Sequence, residues 1–317
     1  MEIRFFQESN EAYGNVEDVV KDLNLTFIAR NMAHDNYGDV TYILEFLKHP
    51  LVTEEEIAQR QKVVMAACDN TPFIYELRKV IVQTWEELQQ SLKAVQDTRG
   101  KHLMEQTVIG IQVESIRNLV TGLKKIHQVL QKHENQCRTS AFSLFYDSFY
   151  HEEPPELLEE QQDLVMNLDS FKDKGEILLC ADVGCGFVLQ DADVLAVSKK
   201  ARRLGGGLFS GKWGQVIANE EIYQSGVEFA NQVILKLLEQ CIPFMQRWQE
   251  QLNTMMRQAM FLAGCARLYK RGQESGIYFC MPDNGEETAE KVYELSLALQ
   301  MLELPVPNTV PLSKYRS

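Results

Sequence analysis

The sequence predicts a mainly α-helical protein with a long-helix architecture and one small β segment near residues 175–197. Apolar residues recur at steps of three and four along three long stretches, which is the spacing of one helix face. Short apolar runs bounded by glycines stand between residues 176 and 197, where they indicate strands. No apolar run approaches the roughly 20 residues of a membrane span, and no secretory signal begins the chain. We therefore expect a cytoplasmic protein.

The first 50 residues are of mixed character, and Pro50 is expected to end them. Thr53 followed by Glu56 is a capping-box pattern, which predicts a helix start. Asn70 and Pro72 mark the boundary between this helix and the next one. Two stripes at helical spacing then predict two long amphipathic helices that pack as an antiparallel pair. The stripes are Ile74, Leu77, Ile81, Trp85, Leu88, Leu92 and Val95, then Val113, Ile116, Val120, Leu123, Ile126 and Leu130.

The acidic run at 151–162 is expected to be a solvated linker that leads into a polar helix start. Residues 176–183 (EILLCADV) and 187–197 (FVLQDADVLAV) are expected to form strands. Residues 220–271 predict one helix of roughly 78 Å at 1.5 Å per residue, with Pro243 expected to kink or split it. A strand-like piece at 277–281, a helix at 288–302 and an irregular proline-rich tail complete the prediction.

This pattern divides the chain into five segments along its length. They are an N-terminal segment (1–50), a helical core (51–165), a β segment with a basic glycine-rich loop (166–215), a long helix (216–282) and a C-terminal helix with its tail (283–317).

The net charge of −13 predicts a surface that repels nucleic acid as a whole. Any contact with DNA therefore needs a local basic patch or a basic partner domain. Residues 194–219 contain no acidic residue and hold a cluster of cations. On charge alone we predict that five of them contact DNA phosphates: Lys199, Lys200, Arg202, Arg203 and Lys212.

Seven cysteines occur at wide, irregular spacing, and no C-x-x-C pair exists. This pattern does not predict a zinc site and favours reduced, mostly buried thiols. The six histidines are scattered, and His127 and His133 flank a helix end without an acidic or cysteine partner at ligand spacing. We therefore predict no metal site and no catalytic residue in this chain.

A near match to the phosphate-binding loop G-x-x-x-x-G-K-[ST] stands at 206–213 (GGLFSGKW). The last position of that motif supplies a hydroxyl for Mg²⁺, and Trp213 has none. A surface loop is the default interpretation, and a basic loop that touches a polyanion is the alternative. We predict no nucleotide or other cofactor site here.

Residues 182–188 (DVGCGFV) resemble the first motif of S-adenosylmethionine-dependent methyltransferases, with Gly184 and Gly186 as the cofactor-facing glycines. That motif opens a βαβ unit, whereas another strand-like run follows it here. A tight β-hairpin with glycines in its turn is the simpler interpretation.

Five groups of segments stand in order along residues 20–310. They are 22–25 (DLNL), Pro50-Leu51 with 56–57 (EI) and 60–64 (RQKVV), 175–179 (GEILL) with 184–186 (GCG), 261–268 (FLAGCARL), and 293–299 (YELSLAL) with Pro307-Asn308. Together these segments resemble the MutS-related DNA mismatch-repair ATPases. The resemblance does not include the family's N-terminal mismatch-reading domain or a complete phosphate loop.

The resemblance implies a core and a lever, with residues 216–282 as the lever helix and 283–317 as the lead-in to an ATPase domain beyond this sequence. In the family, nucleotide state moves the lever, and the lever changes the grip on DNA. The resemblance also implies that ATP and Mg²⁺ belong to that ATPase domain, and that the full protein binds DNA and forms a homodimer. A stand-alone helical scaffold and a divergent methyltransferase are the alternatives.

Overall fold

The computed structural model describes most of the chain, and within that part the protein is mainly α-helical, as predicted. Eleven helices and four short strands lie in the described residues. Those residues are 2–8, 14–33, 37–98, 105–172, 176–183, 189–198, 220–279, 288–301, 305–306 and 308–311.

Three helices precede Pro50: α1 (Val16–Asp22), α2 (Leu25–Met32) and α3 (Tyr37–Lys48). Asn15 caps α1, because its side chain accepts a hydrogen bond from the backbone N–H of Asp18. Asn24 precedes α2 with a φ of 49°, a left-handed conformation that asparagine tolerates better than most residues. The mixed composition of this segment therefore folds into short helices.

The predicted helix start at Thr53 is confirmed by α4 (Glu54–Asp69). The N–H of Glu56 donates to the hydroxyl oxygen of Thr53 at 3.3 Å. The Thr53 hydroxyl in turn donates to a Glu56 carboxylate oxygen at 2.7 Å. The carboxylate thus binds the capping hydroxyl, where the standard capping box would have it bind the backbone N–H.

The two predicted amphipathic helices are confirmed as α5 (Thr71–Thr98) and α6 (Glu105–Lys132). All six apolar residues predicted for the second stripe are buried. Asn118 donates to the hydroxyl oxygen of Ser91 at 3.3 Å, and Gly122 lies against Thr84. From residue 118 to residue 122 of α6, the contacted residue of α5 changes from 91 to 84. The two helices are therefore antiparallel.

The predicted linker at 151–162 is wrong. Two helices, α8 (Ser143–Glu152) and α9 (Pro155–Lys172), cover it, and a short helix, α7 (Glu134–Thr139), comes before them. Proline fits the first position of a helix because its missing N–H has no partner there in any case. Leu158 and Val165 are buried, so α9 has an apolar face despite its acidic composition.

The predicted β segment is confirmed as an antiparallel hairpin of β1 (Glu176–Val183) and β2 (Leu189–Ser198). The register pairs Glu176 with Ser198 and Val183 with Leu189, with irregularities near Leu178 and Cys180.

The predicted long helix is confirmed as α10 (Glu220–Glu274), which has 55 residues. Pro243 does not split it, since the helix runs on through this position. A proline removes one helix hydrogen bond, and buried residues on both sides of it offset that loss. Leu238 precedes it, and Met245 and Trp248 follow it.

The predicted helix at 288–302 is confirmed for 295–301 and wrong for 288–292, and the irregular tail is wrong for 308–311. β3 (Thr288–Val292) pairs in antiparallel orientation with β4 (Asn308–Pro311), and a short helix, α11 (Leu295–Met301), lies between them. The helix begins late because the Glu294 carboxylate accepts the N–H of Ser296 at 3.0 Å, which caps the helix at that point. The strand predicted at 277–281 is also wrong for 277–279, which form no strand.

The chain divides into two compact units, which differ in their cores. The first comprises residues 1–82, 125–152 and 251–317, and the second comprises 83–124 and 153–250. The five predicted segments are a division along the chain, and they stay a prediction. The first core is rich in phenylalanine, including Phe5, Phe6, Phe46, Phe73, Phe142, Phe145, Phe149 and Phe261.

The second core is largely aliphatic, with Leu88, Val95, Val113, Ile116, Leu119, Leu158, Ile234 and Leu238. None of the described helices has the length and apolar character that crossing a membrane requires.

Candidate functional site

The cations predicted to contact DNA lie outside the described residues. These are Lys199, Lys200, Arg202, Arg203 and Lys212, and the near match to a phosphate loop at 206–213 lies there too. Strand β2 ends at Ser198, immediately before them. Their role in DNA binding stays a prediction.

Gly184 and Gly186 also lie outside the described residues, but the strands on either side of them bear on the methyltransferase alternative. β1 pairs in antiparallel orientation with β2, the next strand along the chain. The cofactor motif instead opens a unit in which a helix follows the strand and the next strand is parallel. The hairpin interpretation therefore fits the described strands.

Asn24 joins two of the segments that carry the family resemblance. Its side-chain amide donates to the hydroxyl oxygen of Ser296 at 3.2 Å, across 272 positions of sequence. Ser296 is buried, and its hydroxyl donates to Glu294. Segment 22–25 thus contacts segment 293–299 through a partly buried hydrogen bond.

Two other segments of the resemblance line one cavity of about 470 Å³ in the first unit. Its walls come from residues 50–51, from α4, from the end of α10 and from Phe279. Apolar side chains form most of the wall, including Leu51, Ile57, Val64, Met65, Leu268 and Phe279.

Arg60 is the charged residue in this wall. Its guanidinium donates to the carbonyl oxygen of Gln7 at 3.1 Å and stacks over Phe6, with 4.9 Å between its central carbon and the ring centroid. Burial lowers the pKa of Arg60, and the nearby Cys265 and Glu56 oppose that shift. The charge is therefore partly withdrawn from water.

Two thiols line the same cavity. Burial raises the pKa of Cys68 to about 12, and Asp69 adds to the shift. Burial also raises the pKa of Cys265, and the neighbouring Cys68 adds to that shift. Both thiols are therefore protonated at neutral pH, and they act as small apolar groups. Four cysteines with described side chains (Cys68, Cys137, Cys241 and Cys265) form no disulfide in the structure, and one of them, Cys137, is buried while the others are half-buried. The reduced state of the thiols stays a prediction.

The N-terminal residues 2–8 are held by two glutamines of α10, which the sequence did not single out. Gln258 accepts the N–H of Phe5 at 2.6 Å and donates to the carbonyl oxygen of Phe6 at 2.9 Å. Gln251 accepts the N–H of Ile3 at 2.7 Å. Their spacing of two helix turns places both on one face, and the apolar alternation at 3–6 was the signal for the segment they bind.

Two of the described histidines, His127 and His133, lie against aromatic rings or a carboxylate. His127 lies with its ring centroid 5.1 Å from that of Phe149 and 4.8 Å from that of Tyr150. His133 contacts a Glu76 carboxylate oxygen at 3.2 Å. Within the described part of the chain, no group of three His, Cys, Asp or Glu residues is arranged to hold a metal ion.

No protein-family model, no curated protein sequence and no solved structure matches this chain.

Proposed function

We propose that this chain is the core and lever region of a MutS-like DNA mismatch-repair or DNA-recombination ATPase, acting in the cytoplasm. In this proposal the chain couples ATP-driven motion to DNA binding and is not an enzyme by itself. ATP and Mg²⁺ bind to a C-terminal ATPase domain encoded after residue 317, and the full protein is a homodimer.

The observation that carries the proposal is the pairing of the segments that resemble the family. Segment 22–25 contacts segment 293–299 through the bond between Asn24 and Ser296. Residues of segments 50–64 and 261–268 line one cavity. Four segments that lie far apart in sequence are thus neighbours in pairs, as expected if they form one structural core.

The continuous helix α10 supports the lever role. A helix of 55 residues transmits displacement only if it stays intact, and α10 continues through Pro243. Side chains along its length are buried, from Ile234 to Leu268. A packed helix moves as a rigid element, which is what a lever requires.

The first test is the reading frame that follows codon 317. We expect a complete G-x-x-x-x-G-K-[ST] motif within about 200 codons, the length of one domain. A stop codon without that motif would instead favour the stand-alone scaffold.

The second test is DNA binding by this chain as a function of salt. Five phosphate contacts predict a slope of about −4.5 for the logarithm of the binding constant against the logarithm of salt concentration. The chain with Ala at positions 199, 200, 202, 203 and 212 should lose most of its weak binding. A control with Ala in place of five exposed cations elsewhere (Lys21, Arg30, Lys62, Lys93 and Lys270) loses the same charge and should bind better than that variant.

Equal losses in the two variants would show that net charge, and no local patch, governs DNA binding. Tight binding at physiological salt that survives the five substitutions at 199–212 would place the DNA surface elsewhere.

A further inference from the structure

The cavity between α4 and the end of α10 has the size and the wall chemistry of a small-molecule site. Its volume of about 470 Å³ lies within the range of about 300–1,000 Å³ typical of such pockets. Among the described residues that line it, none is acidic and Arg60 is the one cation. The cavity is therefore an apolar space with a single positive charge at its wall.

The guanidinium of Arg60 has more donors than the protein uses. It carries five N–H donors, and one of them binds the Gln7 carbonyl oxygen at 3.1 Å. Its Nε is buried and has no hydrogen-bond partner in the described structure. The carboxylate of Glu56, one helix turn from Arg60, accepts a hydrogen bond from the Thr53 hydroxyl. This Nε has almost no accessible surface, so a ligand in the cavity would bind the terminal N–H groups of the Arg60 guanidinium that the Gln7 carbonyl does not use.

The rest of the wall disfavours any second charge on a ligand. The Cys68 and Cys265 thiols are protonated at neutral pH because burial raises the pKa of each. Gln61 and the phenol of Tyr269 are the other polar groups in the wall, and both are uncharged side chains. Hydrocarbon is thus accommodated away from Arg60, and a negative group is accommodated beside it.

We propose that this cavity binds a small amphipathic carboxylate, with its aliphatic or aromatic body among the apolar residues and its carboxylate at Arg60. The inference does not depend on the proposed function in DNA repair. The net charge of −13 repels anions from the surface as a whole, so anion binding requires a local site of this kind.

The test compares three ligands with the same tail on the unmodified chain, by calorimetry below their micelle concentrations. The ligands are decanoate, decan-1-ol and decyltrimethylammonium. Decanoate should bind about tenfold or more tightly than the alcohol, because a hydrogen bond to a charged group adds about that factor. Equal or weaker binding of decanoate would overturn the proposal.

A pair of variants on α4 then tests the role of Arg60. Arg60→Gln should weaken decanoate binding about tenfold or more and leave decan-1-ol binding unchanged. Lys62→Gln removes the same charge from an exposed position two residues away, and it should leave both affinities unchanged. If Lys62→Gln weakens decanoate binding as much as Arg60→Gln does, general charge would explain the effect and the proposed site would be wrong.

The position of the ligand is tested by maleimide labelling followed by peptide mass spectrometry. Because the raised pKa keeps most of Cys68 protonated, its slow reaction is followed for hours at alkaline pH with excess maleimide. Decanoate should slow the modification of Cys68, which lines the cavity, and leave the half-buried Cys241 on α10 unaffected. Val64→Phe, which fills part of the cavity, should abolish this protection, with helical circular dichroism used to verify folding. Unchanged labelling of Cys68 at saturating decanoate would place the ligand elsewhere and overturn the proposal without any variant.

Discussion

The two units are stabilised in different ways. In the first, polar side chains of α10 bind the backbone of residues 3–6, as in the bond from Phe5 N–H to Gln258, which spans 253 positions. Stacked aromatic rings accompany these bonds, with 3.8 Å between the ring centroids of Phe5 and Phe145. In the second, aliphatic stripes of α5 and α6 are buried, and the helix backbones approach closely at Gly122.

This difference predicts different sensitivities to mutation. A buried polar side chain with several partners concentrates free energy in one residue, because its loss leaves several groups unsatisfied. An aliphatic stripe distributes free energy over many residues, and it responds to changes of volume. The first unit should therefore be sensitive to the loss of single polar groups, and the second to buried charge and steric overlap.

The largest effect is expected from Gln258→Leu. Gln258 is 0 % exposed, and besides Phe5 and Phe6 it donates to the carboxylate of Glu8 at 2.9 Å. Leucine keeps most of the volume but leaves these backbone groups buried without partners. We expect a loss of about 3 kcal/mol in the free energy of unfolding, measured by urea denaturation.

Gln251→Leu is the matched control, since Gln251 is half-buried and binds the same segment by accepting the N–H of Ile3 at 2.7 Å. Gln251→Leu should lower the free energy of unfolding by about 1 kcal/mol. Hydrogen exchange should show faster exchange of the Phe5 amide in Gln258→Leu. Equal losses in the two variants would remove the basis for the contrast between the units.

The next effect concerns Glu153, a buried carboxyl group in the second unit. It is 0 % exposed, and burial raises its pKa from 4.5 to about 7, although a hydrogen bond with Gln161 opposes the shift. Since the folded state binds this proton more tightly, the contribution of Glu153 to the free energy of unfolding is most favourable below pH 4.5 and is lost as the pH rises to about 7.

Glu153→Gln removes this titration and should stabilise the protein by about 2 kcal/mol at pH 8, with a much smaller change at pH 4.5. Urea denaturation at a series of pH values measures both quantities. Glu152→Gln, at the neighbouring position, controls for the change of net charge. A stabilisation that does not depend on pH would show that burial of the charge is not the cause.

Local patterns predicted much of this fold because their physical cause is local. The stripe from Val113 to Leu130 determines which face of α6 is buried, whatever the partner. The Thr53 hydroxyl and Glu56 are three residues apart, so the start of α4 depends on neighbours alone.

The errors came from interactions that the local pattern does not contain. Glu294 caps α11, so residues 288–292 are free to pair as a strand with 308–311. Glu153 looked like a solvated charge because its neighbours in sequence are acidic, but it is buried.

The candidate sites were predicted less well than the helices for the same reason. The segments of the resemblance were recognised singly, but their pairing depends on contacts such as Asn24 to Ser296, across 272 positions. The charge of Arg60 in an apolar cavity likewise requires α4 and α10 to be neighbours. The cations at 199–212 were chosen by charge density alone, and they remain a prediction.

The smallest effect is expected at the closest approach of α5 and α6. A Cβ added at Gly122 would overlap the methyl group of Thr84 and lie 2.6 Å from its hydroxyl oxygen. Such overpacking costs about 1–3 kcal/mol, and the better helix propensity of alanine offsets about 1 kcal/mol of it. Gly122→Ala should therefore destabilise the protein by about 1 kcal/mol, measured by urea denaturation.

A double-mutant cycle with Thr84→Ala identifies the cause. If overlap between the two residues is responsible, the double variant should be more stable than the sum of the single changes predicts, by about 1 kcal/mol. Additive effects would mean that overlap with Thr84 is not the cause of the loss. The contrast between the two cores would then rest on Glu153 alone.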